Sequence, residues 1–388
     1  MTLFGRGFRP FFLLASAYAV LFVPLWVCVV LGSLTPPSWL WLTAWHAHEM
    51  LFGFCAAAIA GFLLTSVPVW TGTQAVAGDP LAALAGLWLA GRVAMLALAG
   101  RAPGVAAAVD LLFLPAFALA IGPPILRAGI RRNFGFPLGI VALFAANALM
   151  HAEALGLAKG TAAIGLRAAV DIVALLVVVI GGRVAPSFTT NALRRMGIAE
   201  IASPPAWAER AAVPAFLAFL ATDLVLPASV ASGLVALAAA VVLAARMSGW
   251  RTARVLADPL LWSLHLGHAW VIVGLACIAA SDLAAAWPRS VAVHALTAGA
   301  FGTMILAMMT RVALGHTGRP LAAPRSAVAA YVLVTLGALV RTVAVAALPA
   351  ETVPIVSAGG LLWAGAFAAY LAGYAPILVA PRVDGGPG

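Results

Sequence analysis

The sequence predicts an all-α membrane protein that crosses the bilayer about twelve times. Of its 388 residues, 64% are hydrophobic and 9% are charged, too few charges to build the solvated surface of a soluble domain. The apolar runs are about 20 residues long, which at about 1.5 Å per residue covers roughly 30 Å of hydrocarbon. Strands of a membrane barrel would be about ten residues long and would alternate apolar and polar positions, so the runs are predicted to be helices.

Six predicted spans precede the longest polar stretch of the chain. The first follows Arg6 and Arg9 as a signal peptide would, but it is too long for a signal-peptide core and no small-residue cleavage site follows it. We therefore expect it to remain as an anchor. The third and fourth spans form a tight hairpin around the sequence GRAPG. These six spans cover residues 11–33, 44–68, 80–99, 103–122, 135–155 and 164–182.

Six further spans follow the polar stretch GGRVAPSFTTNALRRMGIAEIAS. We predict one integral membrane domain over residues 1–388, made of two six-helix halves that a cytoplasmic loop near 183–205 joins. Transporters with internal repeats share this layout, but the internal similarity is thin: spans 2 and 10 both open on His-Ala, at His46 and His294, and both close on Thr-Gly. The later spans cover residues 206–226, 228–246, 260–280, 290–312, 326–347 and 353–377.

The net charge of +10 reflects membrane topology. With the N-terminus inside, sixteen of the 22 basic residues fall on inner segments, which is the positive-inside pattern. Both termini are therefore expected in the cytoplasm, and nucleic-acid binding has no support. The exceptions are Arg92, which lies within a span, and Arg101, Lys159, Arg167, Arg289 and Arg341.

All seven histidines lie in predicted spans or at their edges. Titratable residues inside a membrane are costly unless partnered, and they tend to face the bundle interior and to mark function. Neutral imidazole suits haem iron, copper and zinc, whereas the scarcity of acidic residues argues against magnesium or calcium. A zinc hydrolase is disfavoured because the chain has H-A-H-E and no H-E-x-x-H. The seven are His46, His48, His151, His265, His268, His294 and His316.

One group of these residues is predicted to share a layer near the outer side. Because residues two apart on a helix diverge by about 200°, His46 and His48 are not expected to ligate one centre from a regular helix. The group consists of His46, His48 and Glu49 at the start of span 2, His151 and Glu153 at the end of span 5, and His294 in span 10.

Two histidines of span 9 are predicted to lie deeper. His265 and His268 are about 10 to 15 Å from the inner end of that span by helical rise, and their spacing lets them face the same way. His316 lies at the inner boundary.

A second polar group consists of Arg92 in span 3, Asp110 in span 4 and Asp171 in span 6. Each is about 10 to 12 Å deep, counted from the outer end of its span. We predict that Arg92 pairs with one of the two aspartates. The pair would be a structural ion pair, a proton route to the histidine layer, or an arginine that holds a haem propionate.

Four stretches of the sequence resemble the NnrS family. They are FRPFFLLAS at 8–16, WHAHEMLFGF at 45–54, GFLLTSVPVWTG at 61–72 and HALTAGAFGTMILAMMTRVALGHTGRPL at 294–321. The resemblance implies a bacterial inner-membrane protein of about twelve spans that binds haem b and copper. It also implies production under nitric-oxide or denitrification control and protection from nitrosative stress.

The resemblance carries over to particular residues without dividing them between haem and copper. The family usually has tyrosine at the position of His268 in DPLLWSLHLGHAW, so His268 is the weaker candidate as a ligand. The residues within recurrent family motifs are His46, His48, Glu49, His265, His294 and His316.

The function expected from this resemblance is binding of nitric oxide, and its reduction to nitrous oxide with two electrons and two protons. His46 or His48, with His151 and His294, would line an outer centre. Glu49 or Glu153 would deliver protons, since a carboxylate in a low dielectric can act as an acid. His265 and His268 are the next candidates for an iron ligand. Reduction would require an electron donor, which the sequence does not identify.

Two alternatives remain open. A proton-coupled transporter would use the six-plus-six spans with Arg92, Asp110, Asp171 and the histidines. A sensor or metal-delivery partner would bind nitric oxide or metal without turnover.

Overall fold

Helices make up most of the described chain. The computed structural model describes residues 2–199 and 201–386, and within those residues no strand occurs. In the same residues eleven helices are long and apolar enough to cross a membrane, which confirms the predicted all-α membrane bundle. In chain order the helices are α1 (Phe8–Val30), α2 (Leu42–Thr71), α3 (Asp79–Ala97), α4 (Pro103–Ala128), α5 (Gly135–Ala154), α6 (Thr161–Arg195), α7 (Ala206–Val225), α8 (Val230–Ser248), α9 (Pro259–Ala284), α10 (Arg289–His316), α11 (Arg325–Ala347) and α12 (Thr352–Val379).

Helix α7 forms where the sequence predicts the seventh span, but it is not among the eleven apolar helices. It carries three charged residues, Glu209, Arg210 and Asp223. Glu209 accepts hydrogen bonds from Arg246 of α8, at 2.6 Å and 2.7 Å. Asp223 pairs with Arg289 of α10. Pairing on neighbouring helices accounts for charges that a hydropathy plot reads as polar interruptions.

Helix α6 is longer than the predicted sixth span. It continues through Arg195 into the stretch near 183–205 that the sequence predicts to be a loop. Hydropathy falls after residue 182, but backbone hydrogen bonding does not depend on hydropathy, and the helix ends only at Gly197, whose φ is +72°. There the Ile198 amide donates to the Leu193 carbonyl at 3.0 Å, a glycine-terminated helix end.

The packing of α1 on α2 explains two of the stretches that resemble the NnrS family. A Cβ at Gly61 would lie 2.7 Å from the ring of Phe12, so only glycine permits this close approach. The Phe8 amide, in the first turn of α1, donates to the Thr65 hydroxyl at 2.9 Å. FRPFF and GFLLTS are therefore the two sides of one helix contact.

Short π-helices interrupt α2 and α10. They span Glu49–Cys55 and Ala295–Phe301, and a third, Val340–Ala344, lies within α11. In a π-helix each turn contains more residues than in an α-helix, so the side chains that follow rotate relative to those before. Such turns frequently occur at functional sites.

The chain divides into two compact units. Unit 1 comprises Met1–Ile172, Met309–Leu321 and Tyr370–Gly388, and unit 2 comprises Val173–Met308 and Ala322–Ala369. The predicted halves, which hydropathy alone delimits at residues 183–205, remain a prediction. Each unit is described separately.

Candidate functional site

Unit 1 contains a buried cluster of polar side chains from five helices. None of the cluster residues from α2 to α5 is more than 6% exposed, so these groups must satisfy one another. Helix α4 is interrupted directly after Asp110 and resumes at Phe113. The cluster consists of Tyr18 of α1, His48 and Glu49 of α2, Arg92 of α3, Asp110 of α4, and Asn147 and His151 of α5.

Arg92 joins the two carboxylates of the cluster. Its Nη2 donates to Asp110 Oδ1, which confirms the predicted pairing with an aspartate. Its Nη1 donates to Glu49 Oε1 at 2.8 Å. The sequence predicts a role in proton transfer for Glu49 but does not predict this ion pair. A Cβ at Gly91 would lie 3.1 Å from Asp110 Oδ1, so this glycine lets α3 and α4 approach.

His48 faces hydrogen-bond acceptors on both sides of its ring. Its Nδ1 lies 2.8 Å from Glu49 Oε1, and its Nε2 lies 2.9 Å from Asn147 Oδ1 and 3.2 Å from Asp110 Oδ2. Both ring nitrogens therefore face side-chain oxygens, and His48 and Arg92 together lie between the carboxyl groups of Glu49 and Asp110.

His151 completes a candidate metal centre. Its Nε2 lies 3.0 Å from Asp110 Oδ2, the same oxygen that faces His48 Nε2. The ligand atoms of His48, Asp110 and His151 all lie within 4.8 Å of one another. Two imidazoles and a carboxylate are donors suited to zinc, copper or iron. A metal ion there would take the place of the hydrogens that His48 and His151 now direct at Asp110.

Tyr18 and Asn147 belong to the cluster but are absent from the sequence-based predictions. The Tyr18 hydroxyl donates to Glu49 Oε2, and Asn147 Nδ2 donates to Asp110 Oδ2 at 2.7 Å. One signal was available for Asn147: it lies four residues before His151 and therefore on the same face of α5. Tyr18 had no comparable signal, because its contact depends on how α1 packs against the π-helix of α2.

Three other predicted site residues of unit 1 have different surroundings. The ring of His46 stacks on Trp26 with centroids 4.5 Å apart, whereas His48 faces Asp110, as expected for residues two apart. Glu153 Oε2 accepts a hydrogen bond from the Ala162 amide at 2.7 Å, at the start of α6. Asp171 is 3% exposed on α6. The functional roles of these three residues remain predictions.

In unit 2, neighbouring histidines of α9 have opposite surroundings. His265 Nε2 lies 2.8 Å from the Thr189 hydroxyl, and its Nδ1 lies 2.8 Å from the Thr252 hydroxyl. His268 is fully buried, and both of its ring nitrogens lack a hydrogen-bond partner. The His268 ring lies 4.5 Å from the ring of Trp250. His268, the weaker ligand candidate by family resemblance, is thus the histidine of α9 whose ring nitrogens make no hydrogen bond.

A family comparison covers nearly the whole chain: the family model described as NnrS protein matches residues 2–382. The chain belongs to the NnrS family. No curated protein matches it. The resemblance expected from the sequence motifs is therefore confirmed.

The remaining histidines of this NnrS protein make local contacts. His294 of unit 2 bonds through Nδ1 to the Ser290 carbonyl, one helical turn earlier, at 2.7 Å. His316 of unit 1 packs on Phe8, with ring centroids 5.8 Å apart. Their roles as metal ligands, and the layer that His294 is predicted to share with His48, remain predictions.

The π-helices reveal an internal correspondence within this NnrS protein. Each of the two longer ones has seven residues and begins directly after a histidine, His48 or His294. Both have glycine at the fifth position, Gly53 or Gly299, and the same chain offset aligns the Thr-Gly ends of α2 and α10. The correspondence therefore pairs His294 with His48, whereas the sequence comparison had paired it with His46.

An indole bonds to each of these π-helices. Trp88 Nε1 donates to the Gly53 carbonyl at 3.0 Å in unit 1, and Trp363 Nε1 donates to the Ala298 carbonyl at 3.2 Å in unit 2. Widened helical turns leave carbonyls that need a donor. In each unit an indole thus satisfies a carbonyl within the π-helix, at the fifth residue in unit 1 and at the fourth in unit 2.

Proposed function

We propose that this NnrS protein is a metalloprotein of the bacterial inner membrane that binds nitric oxide and reduces it. Family membership supports a role related to nitric oxide, and the buried cluster of unit 1 supplies donors for a transition metal. Haem b and copper are the cofactors proposed. The positive-inside pattern supports cytoplasmic termini. An electron donor of the membrane or cytoplasm would complete the reaction.

The observation that carries the proposal is the convergence of two imidazoles on one carboxylate oxygen. His48 Nε2 and His151 Nε2 lie 3.2 Å and 3.0 Å from Asp110 Oδ2 in a site that is almost fully buried. His151 Nδ1, the other nitrogen of this ring, has no hydrogen-bond partner and is therefore also free to act as a metal ligand. These residues fit a copper or iron ion. When bound, the metal would supply electrons and hold nitric oxide in a dry environment.

The residues around the donors form a continuous hydrogen-bonded route for protons. Tyr18 donates to Glu49, Glu49 bonds to His48, and His48 reaches Asp110. Reduction of two nitric oxides to nitrous oxide and water consumes two protons. Each group on this route can pass a proton to the next, and Arg92, which contacts both carboxyl groups, holds them in place.

The experiment is metal and spectral analysis of the full-length protein, purified from cells supplied with haem and copper. The Soret band of the reduced protein should shift when nitric oxide is added, and reconstituted vesicles with an artificial reductant should produce nitrous oxide. His48→Gln and His151→Gln should each lower the metal content. Ser16→Ala is the matched control, since Ser16 is buried in α1 but bonds to the Phe12 carbonyl of its own helix. Colourless, metal-free protein would contradict the proposal.

Proton-coupled transport is a second candidate, and one observation favours it. Acids and bases alternate through the cluster, in which His48 and Arg92 each contact both Glu49 and Asp110. Such a cluster can load and release a proton as a transporter requires. Cysteine labelling that reaches this cluster alternately from both sides would favour transport. Binding of nitric oxide without nitrous oxide production would instead indicate a sensor.

A further inference from the structure

A cavity of about 610 Å³ lies in unit 2, where α8 ends and the chain turns towards α9. Its polar wall contains two cations and two hydroxyl groups, those of Arg251, Arg254, Ser248 and Thr252. Among the described residues that line it, none is acidic. One water molecule takes about 30 Å³ in the liquid, so a lone small anion would leave most of this cavity unfilled.

The cavity lies at the level where α8 leaves the membrane. Helix α8 has 19 residues, which at about 1.5 Å per residue covers nearly all of the roughly 30 Å of hydrocarbon. Its last residue, Ser248, therefore stands at the edge of the hydrocarbon. Arg251 and Arg254 follow directly after it, at the depth of the lipid headgroups.

The opposite wall of the cavity is apolar and comes from the two spanning helices. Helix α8 contributes Ala244 and Met247, which are three residues apart and share a face, and α9 contributes Ile272. The helices lie close together along this wall, since a Cβ at Gly233 of α8 would be 2.7 Å from Leu283 Cγ of α9. An occupant with an anionic end and an apolar end would find a suitable wall for each.

The polar wall is held in place from beneath. Trp250 is fully buried, and the Thr252 hydroxyl lies 2.8 Å from His265 Nδ1 of α9. Arg251 stands exposed between these two anchored residues, with φ at +59°. This left-handed conformation disfavours any residue with a Cβ, and it persists where the surrounding structure fixes it, often at ligand clamps. The chain thus places a cation where glycine would be the easier residue.

We propose that this cavity binds the headgroup phosphate of an anionic phospholipid. The two arginines face the phosphate, and the first carbons of the acyl chains lie against Ala244, Met247 and Ile272. Basic pockets between membrane helices bind anionic headgroups in this way. Inorganic phosphate offers the same charge, but it would leave the apolar wall and most of the volume unused. The proposal goes beyond the proposed function and requires neither metal nor nitric oxide.

The test is native mass spectrometry of the full-length protein, titrated with phosphatidylglycerol, phosphatidylcholine or inorganic phosphate. We expect one tightly bound phosphatidylglycerol. Arg251→Gly and Arg254→Gln should each weaken its binding by about fivefold, as expected for one arginine near a lipid surface. Arg251→Gly also relieves the left-handed backbone and should fold at least as well as the wild type. Arg325→Gln removes an exposed arginine at the start of α11, outside the cavity, and is the charge control.

A second pair of variants tests the apolar wall without changing any charge. Ala244→Phe places a ring in the space proposed for the acyl carbons and should weaken the bound phosphatidylglycerol at least as much as Arg254→Gln. Val241→Phe introduces the same ring at an exposed position of α8 that does not line the cavity, and it should have no effect. General attraction between cations and an anionic surface predicts no difference between these two variants.

Three outcomes would overturn the proposal. They are equal weakening in Arg251→Gly, Arg254→Gln and Arg325→Gln, unchanged lipid binding in Ala244→Phe, and inorganic phosphate that binds as tightly as phosphatidylglycerol. Loss of the bound lipid in the cavity variants alone supports the site. That result holds whether or not the protein contains metal or responds to nitric oxide, so the two proposals succeed or fail separately.

Discussion

Arg92 of α3 donates to Glu49 Oε1, the first residue of the π-helix in α2, at 2.8 Å. The same guanidinium pairs with Asp110 of α4. One cation therefore fixes three helices of unit 1 around His48. The position of this histidine therefore depends on Arg92 as well as on the helix that carries it.

Removal of Arg92 is expected to destabilise the protein strongly. Arg92→Leu would leave the buried carboxylates of Glu49 and Asp110 without their cation, a change that costs about 3–5 kcal/mol. Thermal unfolding in detergent measures the effect. Arg101→Leu, at an exposed position, should cost less than about 0.5 kcal/mol. Equal stability of the two variants would contradict the structural role given to Arg92.

A methyl group at Gly53 is expected to displace Tyr18. The Cβ of Gly53→Ala would lie 2.6 Å from the Tyr18 ring, closer than real contacts allow. We expect a loss of about 1–3 kcal/mol from overpacking and a weakened Tyr18–Glu49 hydrogen bond, visible in the ultraviolet absorption of tyrosine. Gly86→Ala, which adds the same methyl at a helical glycine with nothing within 4 Å of it, serves as the control. A wild-type tyrosine spectrum in Gly53→Ala would argue against the contact.

The indoles that bond to the π-helices should contribute similarly in the two units. Trp88→Phe and Trp363→Phe each remove a hydrogen bond to a π-helix carbonyl, worth about 0.5–1.5 kcal/mol. Chemical denaturation of each variant gives the comparison. Trp207→Phe, at a side chain 54% exposed, should have little effect. If only one of the two variants is destabilised, the two indole hydrogen bonds do not contribute equally to stability, and the similarity of the π-helices is limited to their geometry.

The ion pair after α12 should persist to acidic pH. The Arg382 guanidinium lowers the pKa of Asp384 to about 2, from an ordinary value of about 3.9. Because the folded pKa is the lower one, the contribution of this pair is present above about pH 4 and is lost as the pH falls towards 2. A carbon NMR titration of the Asp384 carboxyl measures the pKa. Arg382→Gln should raise it, and an unchanged value would contradict the pairing.

Much of the architecture was predictable because hydropathy and charge act locally. The apolar runs predicted twelve helices at nearly the observed positions, and the shared depth of Arg92, Asp110 and Asp171 predicted that Arg92 pairs with one of the two aspartates. The structure differs from the prediction where a helix contains polar residues, because helix formation does not require an apolar sequence. Helix α6 continues to Arg195 because only Gly197 ends it, and α7 includes charges that pair with neighbouring helices.

The sequence by itself determined that this chain is a membrane bundle of the NnrS family with buried histidines and an internal arginine–aspartate pair. Tertiary structure alone decided that His48 meets Asp110 and His151, that Tyr18 meets Glu49, and that His265 meets Thr189. The physical reason is that each of these contacts joins residues from separate helices. Their meeting depends on π-helical turns and on glycines that set how closely the helices approach, neither of which periodicity reveals.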